Sequence, residues 1–276
     1  MVLTIKMKIE KIKLVYFSPT GSTKRILEYI SEGLSAPVEY IDLTRPDFTP
    51  TKYGAFGQEL AVIGVPVYVG RVPALAAKRL RELNGNNTPA VLVVVYGNRA
   101  YEDALIELSD LVSAKGFKPI AGGAFVAEHS FSSSDVPIAQ GRPDELDKAK
   151  AIEFGKEVRE KLLKENSYRD LVAVVFPGNH PYREPFPSGR ERPRPSSPDT
   201  IEEKCTKCGR CEKVCPAAAI TIGSSVDTKK EDCIKCYACI KSCPTGARVM
   251  RDQWFVSHTK ILHDNLIKRR EPETFL

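Results

Sequence analysis

Short, almost wholly apolar runs alternate along this chain with longer segments whose apolar and charged positions recur at helical spacing. The runs fall at residues 12–17, 38–41, 60–67, 90–96 and 120–127 and are rich in Val, Ile, Tyr and Phe. Several contain no polar side chain, the pattern of strands covered on both faces. Residues 24–34, 74–83, 101–115 and 143–164 between and after them read as helices. Strands alternating with helices predict an α/β fold, a doubly wound five-stranded parallel sheet with helices on both sides. In such sheets ligands sit outside the C-terminal ends of the strands, so the loops that follow them hold the candidate chemistry.

The alternation stops near residue 165. Residues 177–200 hold seven prolines, four arginines and few large aliphatic side chains, which predicts an extended, semi-stiff connector, with a segment wrapped over the surface of one domain as the alternative. The expected division is a sheet domain over 1–165, a Pro/Arg-rich connector over 166–200, a small domain over 201–250 and a helical tail over 251–276. In the tail a helix is expected from 254 to 270, with Trp254, His258, Ile261, Leu262 and Leu266 on one packing stripe.

All eight cysteines lie between Cys205 and Cys243. Cys205-x-x-Cys208-x-x-Cys211-x-x-x-Cys215-Pro216 is repeated as Cys233-x-x-Cys236-x-x-Cys239-x-x-x-Cys243-Pro244. Each run leads into a short strand-like segment. Such clustering at one end of a large chain favours metal binding over a disulfide framework. Cysteines three apart let one tight loop present three sulfurs to the corners of a cubane, with the fourth sulfur arriving from elsewhere. Zinc sites more commonly use two C-x-x-C pairs and a spacer, so a triple run present twice points away from zinc.

Both runs resemble bacterial two-cluster ferredoxins, in which the cysteine before proline ligates the other cluster. The resemblance implies two [4Fe-4S] clusters, one held by Cys205, Cys208, Cys211 and Cys243 and the other by Cys233, Cys236, Cys239 and Cys215. After the first strand, Ser18-Pro19-Thr20-Gly21-Ser22-Thr23 leads directly into a helix. It offers four hydroxyls, a glycine and the free N–H groups of a helix start, which suits a phosphate monoester. The order is not that of a Walker A loop, and no G-x-G-x-x-G is present. The loop resembles the flavodoxin pattern [ST]-x-T-G-x-T, and the resemblance extends over residues 10–165. It implies FMN, with Ser18, Thr20, Gly21, Ser22 and Thr23 on the phosphate. Tyr68, Tyr101, Asn98 and the Val69–Gly70 peptide would contact the ring; His129 ends the fifth strand on the ligand side, as a group that lines the site or donates a proton or as a satisfied structural histidine.

The whole chain resembles the flavodoxin–ferredoxin fusion proteins of anaerobic bacteria and archaea. That implies an oxidoreductase or electron carrier that couples two-electron flavin chemistry to one-electron cluster chemistry. Other redox proteins or a redox-active small molecule are the expected partners, with homodimer formation left open. Alternatives are an FMN-dependent reductase of a small molecule such as a quinone, or a flavin-free iron–sulfur binding module. The formal charge of +6 counts every cysteine as neutral. Two clusters at about −2 each and a flavin phosphate at about −2 bring the loaded protein near zero, so the basic balance gives no support for a nucleic-acid partner. The lysine-interrupted start of the chain has no apolar run suited to secretion, and no stretch is long enough for a membrane span, so the expected setting is the cytoplasm.

Overall fold

The computed structural model describes residues 9–184 and 195–276, apart from residues 54, 58 and 169. The lysine-rich start and the middle of the expected connector, residues 185–194, lie outside them. In chain order the strands are β1 Ile12–Tyr16, β2 Val38–Asp42, β3 Leu60–Pro66, β4 Pro89–Tyr96, β5 Lys118–Val126, β6 Asp199–Thr200, β7 Ile220–Ile222, β8 Val226–Thr228, β9 Arg248–Val249 and β10 Glu273–Phe275. The helices are α1 Ser22–Leu34, α2 Ala74–Leu80, α3 Ala104–Ser113, α4 Glu145–Lys164, α5 Arg210–Lys213, α6 Ala238–Lys241 and α7 Gln253–Asn265.

The five expected strands form one parallel sheet in the order β2-β1-β3-β4-β5, the doubly wound order of the flavodoxin type. Alternate residues of β4 feed opposite cores. Val91, Val93 and Val95 pack with Ile26, Leu27 and Ile30 of α1 and Phe154 and Val158 of α4. Leu92, Val94 and Tyr96 pack with Ala76 and Leu80 of α2 and Leu105 and Leu108 of α3. Burial on both faces explains why this strand carries no polar residue. Helices α1 and α4 approach closely because glycines face each other. A Cβ on Gly33 would lie 2.1 Å from the Ile152 carbonyl oxygen, and one on Gly155 would lie 2.1 Å from that of Ile30.

The sheet has a sixth strand that the sequence pattern does not announce. β10 pairs antiparallel with β5, with Glu273 opposite Ala124 and Phe275 opposite Gly122. The five-stranded expectation is corrected accordingly, and the tail is more than a helix. Its helix runs over Gln253–Asn265, opened by Asp252, whose side chain accepts from the Trp254 and Phe255 N–H groups. Of the expected stripe Leu262 is buried, together with Phe255 and Thr259, whereas Ile261 is 56% exposed. Past this helix, Arg269 pairs with Asp144 and Asp147, and the Arg270 carbonyl accepts from Arg142 at 2.8 Å.

The connector also needs correction. Its described part lies on the sheet domain: Leu171 and Phe176 are buried, and Val174 N–H donates to the Pro119 carbonyl at 2.9 Å. The Asp103 carboxylate accepts from Asn179 N–H at 2.9 Å and Arg183 N–H at 2.6 Å, while Asp110 holds His180 and Tyr182. Proline-rich composition predicts extension correctly. It gives no sign that Asp103 and Asp110, far back in the sequence, hold the extended chain.

The small domain contains two minimal antiparallel pairs, β6 with β9 and β7 with β8. Its core is Cys211, Ile220, Val226 and Cys239. So small a core cannot by itself stabilise a domain of this length.

Candidate redox sites

A cleft opens at the C-terminal ends of β1, β3, β4 and β5. It is lined by Ser18, Pro19, Thr20, Ser22 and Thr23, by Pro66–Tyr68, by Val95–Gly97 and by Ala127–Ser130. The cleft is open to solvent on one side. The loop that forms its floor is held from within. Ser18 N–H donates to Thr44 Oγ1 at 2.7 Å, and Ser18 Oγ accepts from Lys24 N–H at 3.0 Å. Gly21 has φ 87°, a left-handed conformation that glycine adopts without Cβ strain, and it turns the chain into α1. The N-cap residue Gly21 supplies no side-chain cap, and Ser18 Oγ takes up the Lys24 N–H. The loop therefore borders the cleft with hydroxyls and the N–H groups of a helix start, donors suited to a phosphate.

The residues expected at a flavin ring are divided by the structure. Tyr68 lines the cleft, held by paired backbone bonds with Arg71 at 3.0 Å each. Val69 and Gly70 form the tip of that turn, at φ 53° and 79°, and are not among the cleft's lining residues. Asn98 is committed to the tail. Its Nδ2 donates to the Leu266 and Lys268 carbonyls at 2.8 and 2.9 Å, and its Oδ1 accepts from Arg270 N–H at 3.1 Å. The Tyr101 hydroxyl donates to Glu273 at 2.8 Å, and the ring lines a separate groove with Arg183 and Arg270. Tyr96 and Gly97 line the cleft instead. Tyr96 is hard to single out from sequence because it ends an apolar strand.

His129 is in the cleft wall. Its Nδ1 accepts from Phe131 N–H at 3.1 Å, so any remaining ring proton is on Nε2. Burial first, then the charges of His258, Arg99 and Lys241, pull its pKa down from 6.5 to about 4. The imidazole is neutral at neutral pH, a hydrogen-bonding group rather than a charged acid. A group with a depressed folded pKa contributes stability that is complete above the unfolded value and lost as the pH falls towards the folded one. Unfolding followed from pH 7 to 4 should therefore show a loss of at most about 3 kcal/mol in the wild type that His129→Gln lacks. Parallel curves for the two proteins would contradict this placement of the imidazole.

The two cysteine runs repeat in backbone as well as in sequence. Lys207 and Gly209 in the first loop, and Lys235 and Tyr237 in the second, take left-handed conformations at equivalent places. These turns bring N–H groups onto sulfur: Arg210 bonds Cys208, Ala238 bonds Cys236, and Ala219 N–H donates to Cys215 Sγ at 3.3 Å. Cys205, Cys208, Cys211 and Cys243 line one shallow cavity. Cys233, Cys236, Cys239 and Cys215 influence one another's ionisation and so form a second group. Burial pushes the Cys236 thiol up to about 12 and the Cys239 thiol to about 11. Among the described residues no three His, Cys, Asp or Glu side chains converge on a point as a single ion requires. Thiolate sulfurs in sets of four are the donors a cubane cluster takes.

The second group faces the sheet domain. Ile234 packs against the core beneath α2 and α3, and Arg79 donates to the Pro216 carbonyl at 2.8 Å. Lys241 reaches Glu128 and the Ser132 carbonyl, and Tyr237 packs on Phe131 with ring centres 4.5 Å apart. Burial first, and then the charge of Cys236, push the Tyr68 hydroxyl well above its ordinary value. In the first group Cys208 is exposed.

Residues 204–247 match the family model described as the 4Fe-4S dicluster domain. No curated protein matches the chain. The sheet domain is similar to the solved structure of a flavodoxin from the domain Archaea, at 17% identity and TM-score 0.39 over 55% of this chain and 98% of that one. It is similar also to flavodoxin 1 from Bacillus cereus, at 15% identity and TM-score 0.40 over 55% and 99%. The rubredoxin oxygen:oxidoreductase of Desulfovibrio gigas matches at 13% identity and TM-score 0.40 over 55% of this chain and 36% of that one. The chain thus joins a doubly wound domain with the flavodoxin strand order to a two-cluster iron–sulfur domain, a combination that belongs to redox electron transfer. No helix among the described residues is long and apolar enough to cross a membrane.

Proposed function

We propose that the cleft binds FMN, that the cysteine groups each hold one [4Fe-4S] cluster, and that electrons pass between flavin and clusters within one chain. Ser18, Thr20, Gly21, Ser22 and Thr23 would hold the phosphate, and Tyr68 and Tyr96 would flank the ring. Cys205, Cys208, Cys211 and Cys243 would ligate one cluster; Cys233, Cys236, Cys239 and Cys215 would ligate the other. A flavin exchanges two electrons and releases them singly, whereas a cluster moves one at a time, so the pair converts between the two regimes.

The observation that carries this reading is the packing of the second cysteine loop at the wall of the cleft, where Ile234 packs on the sheet-domain core and Lys241 reaches Glu128, a lining residue. Packing of Ile234, Arg79 and Lys241 fixes the two sites relative to each other, so the exchange needs no diffusional encounter. The exposed first loop suits exchange with an external one-electron carrier.

Anaerobic purification with iron, sulfide and flavin counts, followed by stepwise reductive titration, tests the proposal. The expected composition is about eight irons with one FMN, and the expected titration shows electrons distributed between flavin and clusters. Zinc in place of iron, or a full iron count with no FMN after reconstitution, would defeat it.

A further inference from the structure

One residue breaks the symmetry of the two cysteine runs. Five positions after the last cysteine of the first run stands Ile220, a member of the small apolar core. At the same place in the second run stands Arg248, which is only 3% exposed. Placing a guanidinium there is costly unless an opposite charge meets it. Yet no carboxylate pairs with Arg248 among the described residues. Its Nη1 donates to Thr200 Oγ1 at 2.6 Å and its Nη2 to Thr228 Oγ1 at 2.8 Å, both neutral hydroxyls. Its Nε is buried without any partner.

The same residue touches both cysteine groups. Its side chain hydrogen-bonds Cys239 of the second group, and its backbone N–H bonds Cys243 of the first. It also lines the cavity of the first group, beside Cys205, Cys208 and Cys211. Hydroxyl partners hold the guanidinium in place without neutralising it. The sulfurs of the two ligand sets, Cys211 and Cys239 among them, lie within reach of its charge and would supply the missing counter-charge.

We infer that Arg248 is a positioning residue and the shared counter-charge of the two clusters, set between them so that the more negative, reduced state of each is favoured. The inference rests on the cluster reading under the proposed function. In the step concerned, each cluster takes one electron from a one-electron reductant and moves from about −2 to about −3 with no bond broken. A fixed positive charge stabilises the product more than the reactant, so the reduction potential rises. Because the side chain bonds Cys239, the second cluster should feel the larger effect.

The test is an anaerobic redox titration of the full, cluster-loaded chain, monitored by electron paramagnetic resonance, for wild type, Arg248→Met and Arg248→Lys. Arg248→Met should make reduction of the more affected cluster at least about tenfold less favourable, about 59 mV for a one-electron couple. Arg248→Lys should restore most of that. Unchanged potentials in a Met variant that holds its full iron would overturn the inference. If the Met variant loses iron, the Lys variant decides. Retained iron supports the requirement for charge, and loss there too overturns it, since only shape would then matter. A wild-type protein short of iron would instead sink the cluster reading itself, which separates the two failures.

Discussion

Replacing Cys208 and Cys236 together by serine is expected to abolish the visible absorbance of both clusters and take the iron count from about eight to none, while FMN remains bound. The two cysteines belong to different ligand groups, and each lies in the middle of its loop. Loss of one central sulfur removes a cubane corner that no neighbouring side chain replaces. The small domain should then loosen, because its own core is only Cys211, Ile220, Val226 and Cys239. Limited proteolysis would show new cuts within residues 204–247. The sheet domain has an independent core on each face of the sheet and should survive. Departure of the flavin together with the iron would mean that the sheet domain alone does not organise the cleft.

The second large effect is expected from Ser22→Asp. Ser22 opens α1, whose N-cap residue Gly21 supplies no side-chain cap, and lines the cleft. A carboxylate there is favourable for the helix itself, because it meets the positive end of the dipole. Toward a phosphate dianion it is repulsive. At about 4 Å and an effective dielectric near 20, one pair of like charges costs about 4 kcal/mol, so FMN affinity should fall by about 100-fold or more. Thermal stability without flavin should not fall, and iron content should not change. The opposite signs for the helix and the ligand make the variant informative. Unchanged affinity in a fluorescence titration with FMN would place the phosphate elsewhere.

Much of the architecture is legible in the sequence because it rests on local pattern. β3 and β4 are apolar throughout since both faces are covered, and their positions follow from that alone. The cysteine repeat marks the eight candidate ligands, with their crossed grouping implied by the resemblance to two-cluster ferredoxins, and the hydroxyl-rich turn marks one wall of the cleft. What is not legible depends on partners remote in sequence. Asn98 and Tyr101 follow β4 where a ring contact is reasonable, but the chain end claims them, with Leu266, Arg270 and Glu273 as partners. β10 is three residues long, and its pairing depends on the open edge of β5 rather than on its own composition. Arg248 stands out in sequence only as the odd member of a repeat. Its significance depends on Thr200, Thr228 and the two cysteines that surround it.

The antiparallel strand at residues 273–275 has a consequence for how the polypeptide can fail. Because the sheet receives strands from both before and after the cysteine region, that region is a closed excursion clasped at its two ends, not a pendant on a leash. A chain trimmed by its last few residues would bare the rim of β5 along Gly122–Ala124, a template onto which a strand from another molecule can add. Self-association of such a trimmed protein, seen by light scattering while its cofactors are still in place, would be the visible sign of the lost clasp.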